Sequence, residues 1–274
     1  MGVKSKLTGR AYMILIFIFL YAPIALLMIF SFNDSKNRAV WGGFTLKWYK
    51  ALFTNEQIIA AVKVTLSVGV LSSIIATCIA TTACLGIAFM RKKHSNFWLE
   101  ANNLPLMAPD IIMGVSLMLL FIFLANVLHM EAFRMSYLTL LLSHITFNIP
   151  IVVLAVIPKM RQMDKTLYEA ALDLGASSIY ALRKVIFPQI LPGIVTGLIM
   201  AFTISIDDVV VSYFTSGPRS QTLGVLIFAM TKKRISPEIN ALSTVMFICV
   251  LTLLIIVNVR ESRQGINNKR MIQF

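Results

Sequence analysis

Charge is scarce in this chain, and negative charge is scarcest of all. Asp, Glu, Lys and Arg together make up 14% of the residues, against roughly 25% in a typical soluble domain. There are 12 acidic residues against 25 basic ones, a formal net charge of +13. Hydrophobic residues reach 58% and the mean hydropathy is +0.80, which excludes an ordinary soluble globule. The positive excess does not indicate a nucleic-acid binder, because no basic, aromatic-interleaved soluble segment exists to carry it. In so apolar a chain it belongs in loops beside anionic headgroups.

Cysteine and histidine are also few. Cys78, Cys84 and Cys249 all fall inside apolar runs, with no CxxC spacing and no histidine cluster beside them. They read as small hydrophobes, and no metal is expected. No GxxxxGK[ST] loop occurs, so the chain is not expected to bind ATP through a Walker A site. Low-complexity tracts, internal repeats and a separate soluble domain are missing too. Lys4, Lys6 and Arg10 lead into an apolar run too long for a typical cleaved signal, and the reading is an uncleaved first span.

Long charge-free runs are abundant. They occupy 11–33, 64–90, 111–130 (reaching back towards 101 if Asp110 is tolerated), 135–158, 185–206 and 239–259, each near the length that crosses about 30 Å of hydrocarbon. Six transmembrane helices are expected, in a single domain over 1–274 with its core at about 60–258. Pro188 and Pro192 suggest that the fifth begins late, at about 193–214. Lys and Arg are more numerous in the loops that lie inside when the N-terminus is inside, so both termini are expected to be cytoplasmic. The first outside loop, about 33–58, holds Trp41, Trp48 and Tyr49, as interfacial aromatics or a docking surface. The longest inside loop covers 159–192.

That inside loop reads as helix, turn, helix. Thr166 and Glu169 have capping-box spacing, and Asp164 is the alternative N-cap. Leu167, Ala170, Ala171 and Leu174 form a narrow apolar stripe. Gly175 suits the left-handed residue that ends a helix, and Ser177 or Ser178 can start a second helix running to about Phe187. Such a helix either inserts into a groove on a partner or lies on the headgroups, and physics alone does not choose.

The residues themselves resemble the EAA motif of ABC importer permeases: Glu169-Ala170-Ala171, then Gly175, then Val185-Ile186-Phe187-Pro188, with two conservative departures in the last element. Other segments are similar to the spermidine/putrescine branch of that family, among them SFNDSK (31–36), PLMAPDIIMGVSLMLLF (105–121), LLSHITFNIP (141–150) and SIDDVVVSYFTSGP (205–218). The resemblance implies an all-α, six-helix MetI-like (type I importer) permease fold. It implies that Glu169, Ala170, Ala171 and Gly175 couple the chain to a cytoplasmic ATPase. Implied partners are a sister permease in a heterodimer, two ATPase subunits holding ATP and Mg, and a periplasmic polyamine-binding protein.

Carboxylates inside apolar helices are costly and need a reason. Asp110 falls about eleven residues into the extended third span, near its middle. Asp207 and Asp208 lie in the outer half of the fifth, where helical neighbours point about 100° apart, so only one of the two is expected to face a narrow lumen. Spaced carboxylates suit a ligand with several ammonium groups, and Phe202, Tyr213 and Phe214 are near enough to supply cation–π contact with its chain. The competing role for the acids is capping of helix breaks or pairing with a neighbouring subunit. His144, near Ser143 and Asn148, reads as an interhelical hydrogen-bonding residue rather than a proton relay. Glu238 reads as N-terminal helix charge. Pro105, Pro109 and Pro150 mark breaks or packing kinks.

A non-catalytic permease subunit working by alternating access is thus the expectation, for polyamines or for another small cationic or organic substrate. An intramembrane aspartyl enzyme would need two carboxylates sharing a proton, lacks a GxGD context here, and leaves the 159–192 loop unexplained. A secondary carrier would favour internal repeats, and none is visible.

Overall fold

The computed structural model describes residues 3–35, 40–233 and 238–249, with 251, 252 and 255. The described residues are almost wholly helical: α1 Val3–Phe30, α2 Lys47–Thr54, α3 Glu56–Phe89, α4 Lys92–Met107, α5 Asp110–Asn126 and α6 Tyr137–Gln162. There follow α7 Lys165–Asp173, α8 Ser178–Ala181, α9 Phe187–Asp207, α10 Val210–Thr215, α11 Leu223–Lys233 and α12 Glu238–Cys249. Tyr12–Phe30, α3, α6 and the stretch Ser178–Asp207 are each long and apolar enough to cross a membrane, and α4 with α5 forms a bent fifth candidate. The expected sixth span, 239–259, begins on α12 and runs beyond the described residues; the basic C-terminal residues counted for orientation lie outside them as well.

Two compact units divide the chain, Met1–Ile59 with Ala229–Phe274, and Ala60–Phe228. In the first, the segment expected as an outside loop is built around Asn33. Its side chain donates to Val40 O at 2.9 Å and accepts from Gly42 N at 2.8 Å, while its carbonyl accepts from Trp48 Nε1 at 2.8 Å. Lys47 pairs with Asp34, and Ser31 Oγ meets Tyr49 OH at 2.6 Å. Trp48 is therefore a buried, hydrogen-bonded anchor rather than an interfacial ring, whereas Trp41 is half exposed.

In the second unit α3, α6 and α9 share one core, with Ala80, Cys84, Val152, Val156, Ile186, Ile190 and Ala201 at its centre. Cys84 is buried there, while Cys78 and Cys249 are exposed. Small residues let α6 and α9 approach closely: a Cβ at Gly197 would stand 2.9 Å from Val152 Cγ1. Leu117, Phe121 and Val211 join α5 to α10 in a second cluster.

Two expected helix boundaries change. The fifth span does not start late at 193. Helix is continuous from Ser178 to Asp207, because one π-turn over Leu182–Ile186 precedes Pro188, with Phe187 N donating to Leu182 O. The wider turn re-registers the ladder where Pro188 and Pro192 have no N–H to give. The third span is not one helix through Asp110. Pro109 holds Ala108 extended, at ψ 135°, and α5 leaves α4 at 102°. Of the three prolines singled out, only Pro109 marks a break; Pro105 and Pro150 sit inside helices.

Candidate functional site

Three helix ends meet at one cavity of about 440 Å³ in the Ala60–Phe228 unit. Asp110 is the first residue of α5, Asp207 the last of α9, and Asp208 the first of the two residues between α9 and α10. All three line the cavity, with Pro105, Met113, Phe147, Ile151 and Val210 among the apolar walls, and among the described residues no basic side chain lines it. The expectation that only one of the adjacent pair could face a lumen assumed unbroken helix. Asp208 instead has ψ 128°, which ends α9 and turns both carboxylates into the same space. Asp110 accordingly stands at a helix N-terminus, not eleven residues into a span.

The three acids are not equivalent. Asp208 is largely buried and accepts from Val211 N at 3.2 Å and Ser212 N at 2.7 Å, so it caps α10, the competing role weighed above. Asp110 also sits at a helix start, where the dipole favours negative charge. Asp207 sits at a helix end, where the dipole opposes it. Both Asp110 and Asp207 are exposed, and neither has an ion pair or side-chain hydrogen bond among the described residues. An apolar recess with three carboxylates and no cation among the described residues attracts positive charge.

The aromatic assignments change. Phe202 packs towards Gly69, and Tyr213 stands edge-on to Phe214 and Phe228; neither Phe202 nor Tyr213 lines the cavity. The ring that does is Phe147, one turn along α6 from His144, 4.9 Å from the imidazole. Phe147 and Ile151 are four residues apart, on one helix face, and that spacing was the available signal.

Behind the cavity lies a buried polar chain. His144 Nδ1 meets Ser205 Oγ at 2.9 Å and Nε2 meets Ser212 Oγ at 3.0 Å, with Asp208 Oδ2 3.8 Å from Nε2. Asn148 Nδ2 donates to Ser205 Oγ at 2.9 Å and to Ser72 Oγ at 3.2 Å. His144 thus bonds across helices, as expected of it.

At the 159–192 loop Asp164, not the Thr166/Glu169 pair, caps α7. Its carboxylate accepts from Thr166 N at 3.0 Å and from Thr166 Oγ1 at 2.8 Å, which holds it below the usual carboxylate range. Gly175 has φ +84°, Ala176 N donates to Ala171 O and Gly175 N to Leu172 O, a complete Schellman ending. Ser177 then caps α8, accepting from Tyr180 N. The turn presents Leu174, 89% exposed, with Glu169, Ala170 and Ile179 also exposed.

A bundle of apolar crossing helices, broken at a carboxylate-lined recess and carrying an exposed helix–turn–helix, defines a multi-pass membrane permease. Residues 80–272 match the family described as binding-protein-dependent transport system inner membrane component, and the chain belongs to it. It is a transport permease, not an enzyme. Relatives include the spermidine/putrescine transport system permease protein PotC of Escherichia coli K12, 37% identical over 92% of each chain. The putrescine transport system permease protein PotI of the same strain is 38% identical over 83% of this chain and 81% of its own. A bacterial ABC transporter that imports the acidic polysaccharide alginate shares the fold, with TM-score 0.72 at 18% identity, over 94% of this chain and 95% of that one.

Proposed function

We propose that this chain is one permease of an ATP-driven importer that carries spermidine and putrescine through the inner membrane into the cytoplasm. The observation that carries the reading is the recess shared by Asp110, Asp207 and Asp208, with apolar walls and no basic lining residue among those described. Ammonium groups joined by methylene chains suit that pattern, the charges against carboxylates and the methylenes against Phe147, Ile151 and Met113. Relatives named for spermidine and putrescine support it.

In this reading a sister permease completes the path, and two ATPase subunits bind ATP and Mg on the side of both chain termini. A periplasmic binding protein delivers the cargo. The Gly175 turn, flanked by Glu169, Ala170 and Ala171, inserts into an ATPase groove, and its exposed Leu174 supplies the apolar contact. Asp110 and Asp207 receive the cargo, and Asp208 shapes the recess from its capping position.

Uptake of labelled spermidine and putrescine by the reconstituted complex tests this. Asp110→Asn and Asp207→Asn are each expected to reduce uptake about tenfold, the equivalent of about 1.4 kcal/mol, with assembly intact. Glu169→Lys is expected to abolish cargo-stimulated ATP hydrolysis. Normal uptake in both aspartate variants overturns the cargo path, transport of a different cation overturns the substrate, and normal coupling in Glu169→Lys overturns the coupling assignment.

A further inference from the structure

We propose that His144 is a positioning residue that staples the two sides of the α9–α10 break and thereby aims Asp208 into the recess; the proposal rests on reading that recess as the cargo path. Ser205 lies two residues before the end of α9 and Ser212 two residues after the start of α10. One imidazole bonds both, at 2.9 and 3.0 Å, from a third helix, α6. The ring is fully buried, as are Ser212 and Asn148. A histidine needed only for bulk would not require hydroxyls at both nitrogens, on opposite sides of a helix break.

The bonds have a direction. Asn148 Nδ2 can only donate, and it donates to Ser205 Oγ. Ser205 can then give its proton to Nδ1, leaving Nε2–H to donate to Ser212 Oγ, with the Asp208 carboxylate 3.8 Å from Nε2. Ser212 N donates to that same carboxylate at 2.7 Å. Along the path from Asn148 through Ser205 and His144 to Ser212 each donor points towards the negative end, while the second Asn148 bond branches off to Ser72, and a path so ordered reinforces itself in a low-dielectric interior. Loss of the imidazole frees Ser212 and unpins the residue that keeps two carboxylates in one space.

His144→Phe keeps an aromatic ring and removes both bonds, His144→Gln can restore them in part, and Ser212→Ala cuts one link. In the reconstituted complex His144→Phe is expected to raise the KM for spermidine uptake about tenfold at wild-type levels of assembled complex, with His144→Gln intermediate. A second readout needs no cargo. In a background with Cys78, Cys84 and Cys249 replaced by Ala, Val210→Cys in the recess wall is labelled with a cationic and with a neutral thiosulfonate. His144→Phe and Ser212→Ala are each expected to lower the cationic-to-neutral rate ratio severalfold. An unchanged ratio and unchanged KM in an assembled His144→Phe complex overturn the proposal. If His144→Phe does not assemble, the ratio in Ser212→Ala decides. If the wild-type complex carries neither polyamine, the cargo reading fails while the labelling ratio still decides the role of His144.

Discussion

Gly114 of α5 lies directly against Phe214 of α10. A Cβ at position 114 would stand 2.8 Å from Phe214 Cδ2 and 3.3 Å from Val211 Cα. The ring can shift, but the backbone of α10 cannot do so without moving Val210 and Val211, which line the recess. Gly114→Leu is therefore expected to destabilise the purified complex by about 1–3 kcal/mol and to weaken uptake, with Gly114→Ala milder. Thermal unfolding in detergent checks the order; a Gly114→Leu complex as stable as wild type would show that the helices do not meet there.

Gly193 and Gly197 make a graded pair on α9. At Gly193 the nearest atom is Lys159 Cγ, on a flexible side chain, with Ala155 O at 3.0 Å; at Gly197 it is Val152 Cγ1, fixed inside the core. Gly197→Val is expected to lower stability more than Gly193→Ala, by at least about 1 kcal/mol. Equal melting temperatures would contradict that packing.

Position 175 separates backbone from contact effects. Nothing lies within 4 Å of a Cβ built on Gly175, yet its φ is +84°. Gly175→Ala meets only the left-handed penalty of about 1–2 kcal/mol per residue, and Gly175→Asn should meet less of it. Stimulation of ATP hydrolysis by loaded binding protein is expected to fall in Gly175→Ala and to recover in part in Gly175→Asn, without loss of the assembled complex.

Asp164 gives a pH signature. Its hydrogen bonds from Thr166 lower its folded pKa, so the cap is fully formed above the usual carboxylate range and is lost as pH falls through the depressed value. Asp164→Ala is expected to remove protection of the Thr166 amide in hydrogen exchange at neutral pH. Wild type should retain that protection until the pH is below the usual carboxylate range; earlier loss in wild type would point to a different cap.

Much of this was legible in the residues. Apolar runs located the crossing helices, Gly175 announced its left-handed turn, and the scarcity of acid made Asp110, Asp207 and Asp208 conspicuous. The breaks were harder to place. Pro109 and Pro150 look alike in sequence, yet one ends a helix and the other sits inside α6, where its carbonyl accepts from Asn102 Nδ2 at 3.4 Å. The π-turn before Pro188 has no residue signature of its own, and it decided where the fifth span begins. The ending of α9 at Asp207 goes with bonds that Asp208 makes to Val211 and Ser212, ten residues from the nearest proline, Pro218. Phe202 and Tyr213 were chosen by nearness in sequence, whereas Phe147 reaches the recess from another helix.

The unbroken helix from Ser178 to Asp207 has a mechanical meaning. Thirty residues at helical rise make a rod about 45 Å long, with the Ser177-capped turn at one end and two carboxylates at the other. Tilting such a rod by 5° about its midpoint moves each tip by about 2 Å, comparable with the margin between a formed and a lost hydrogen bond. Helix continues through the π-turn and both prolines, and those are the positions at which so long a helix bends if it bends at all. The Ser177-capped turn and the Asp207 carboxylate are thus the two tips of one helix, and a tilt of one tip is shared by the other to the extent that the π-turn and the prolines stay straight.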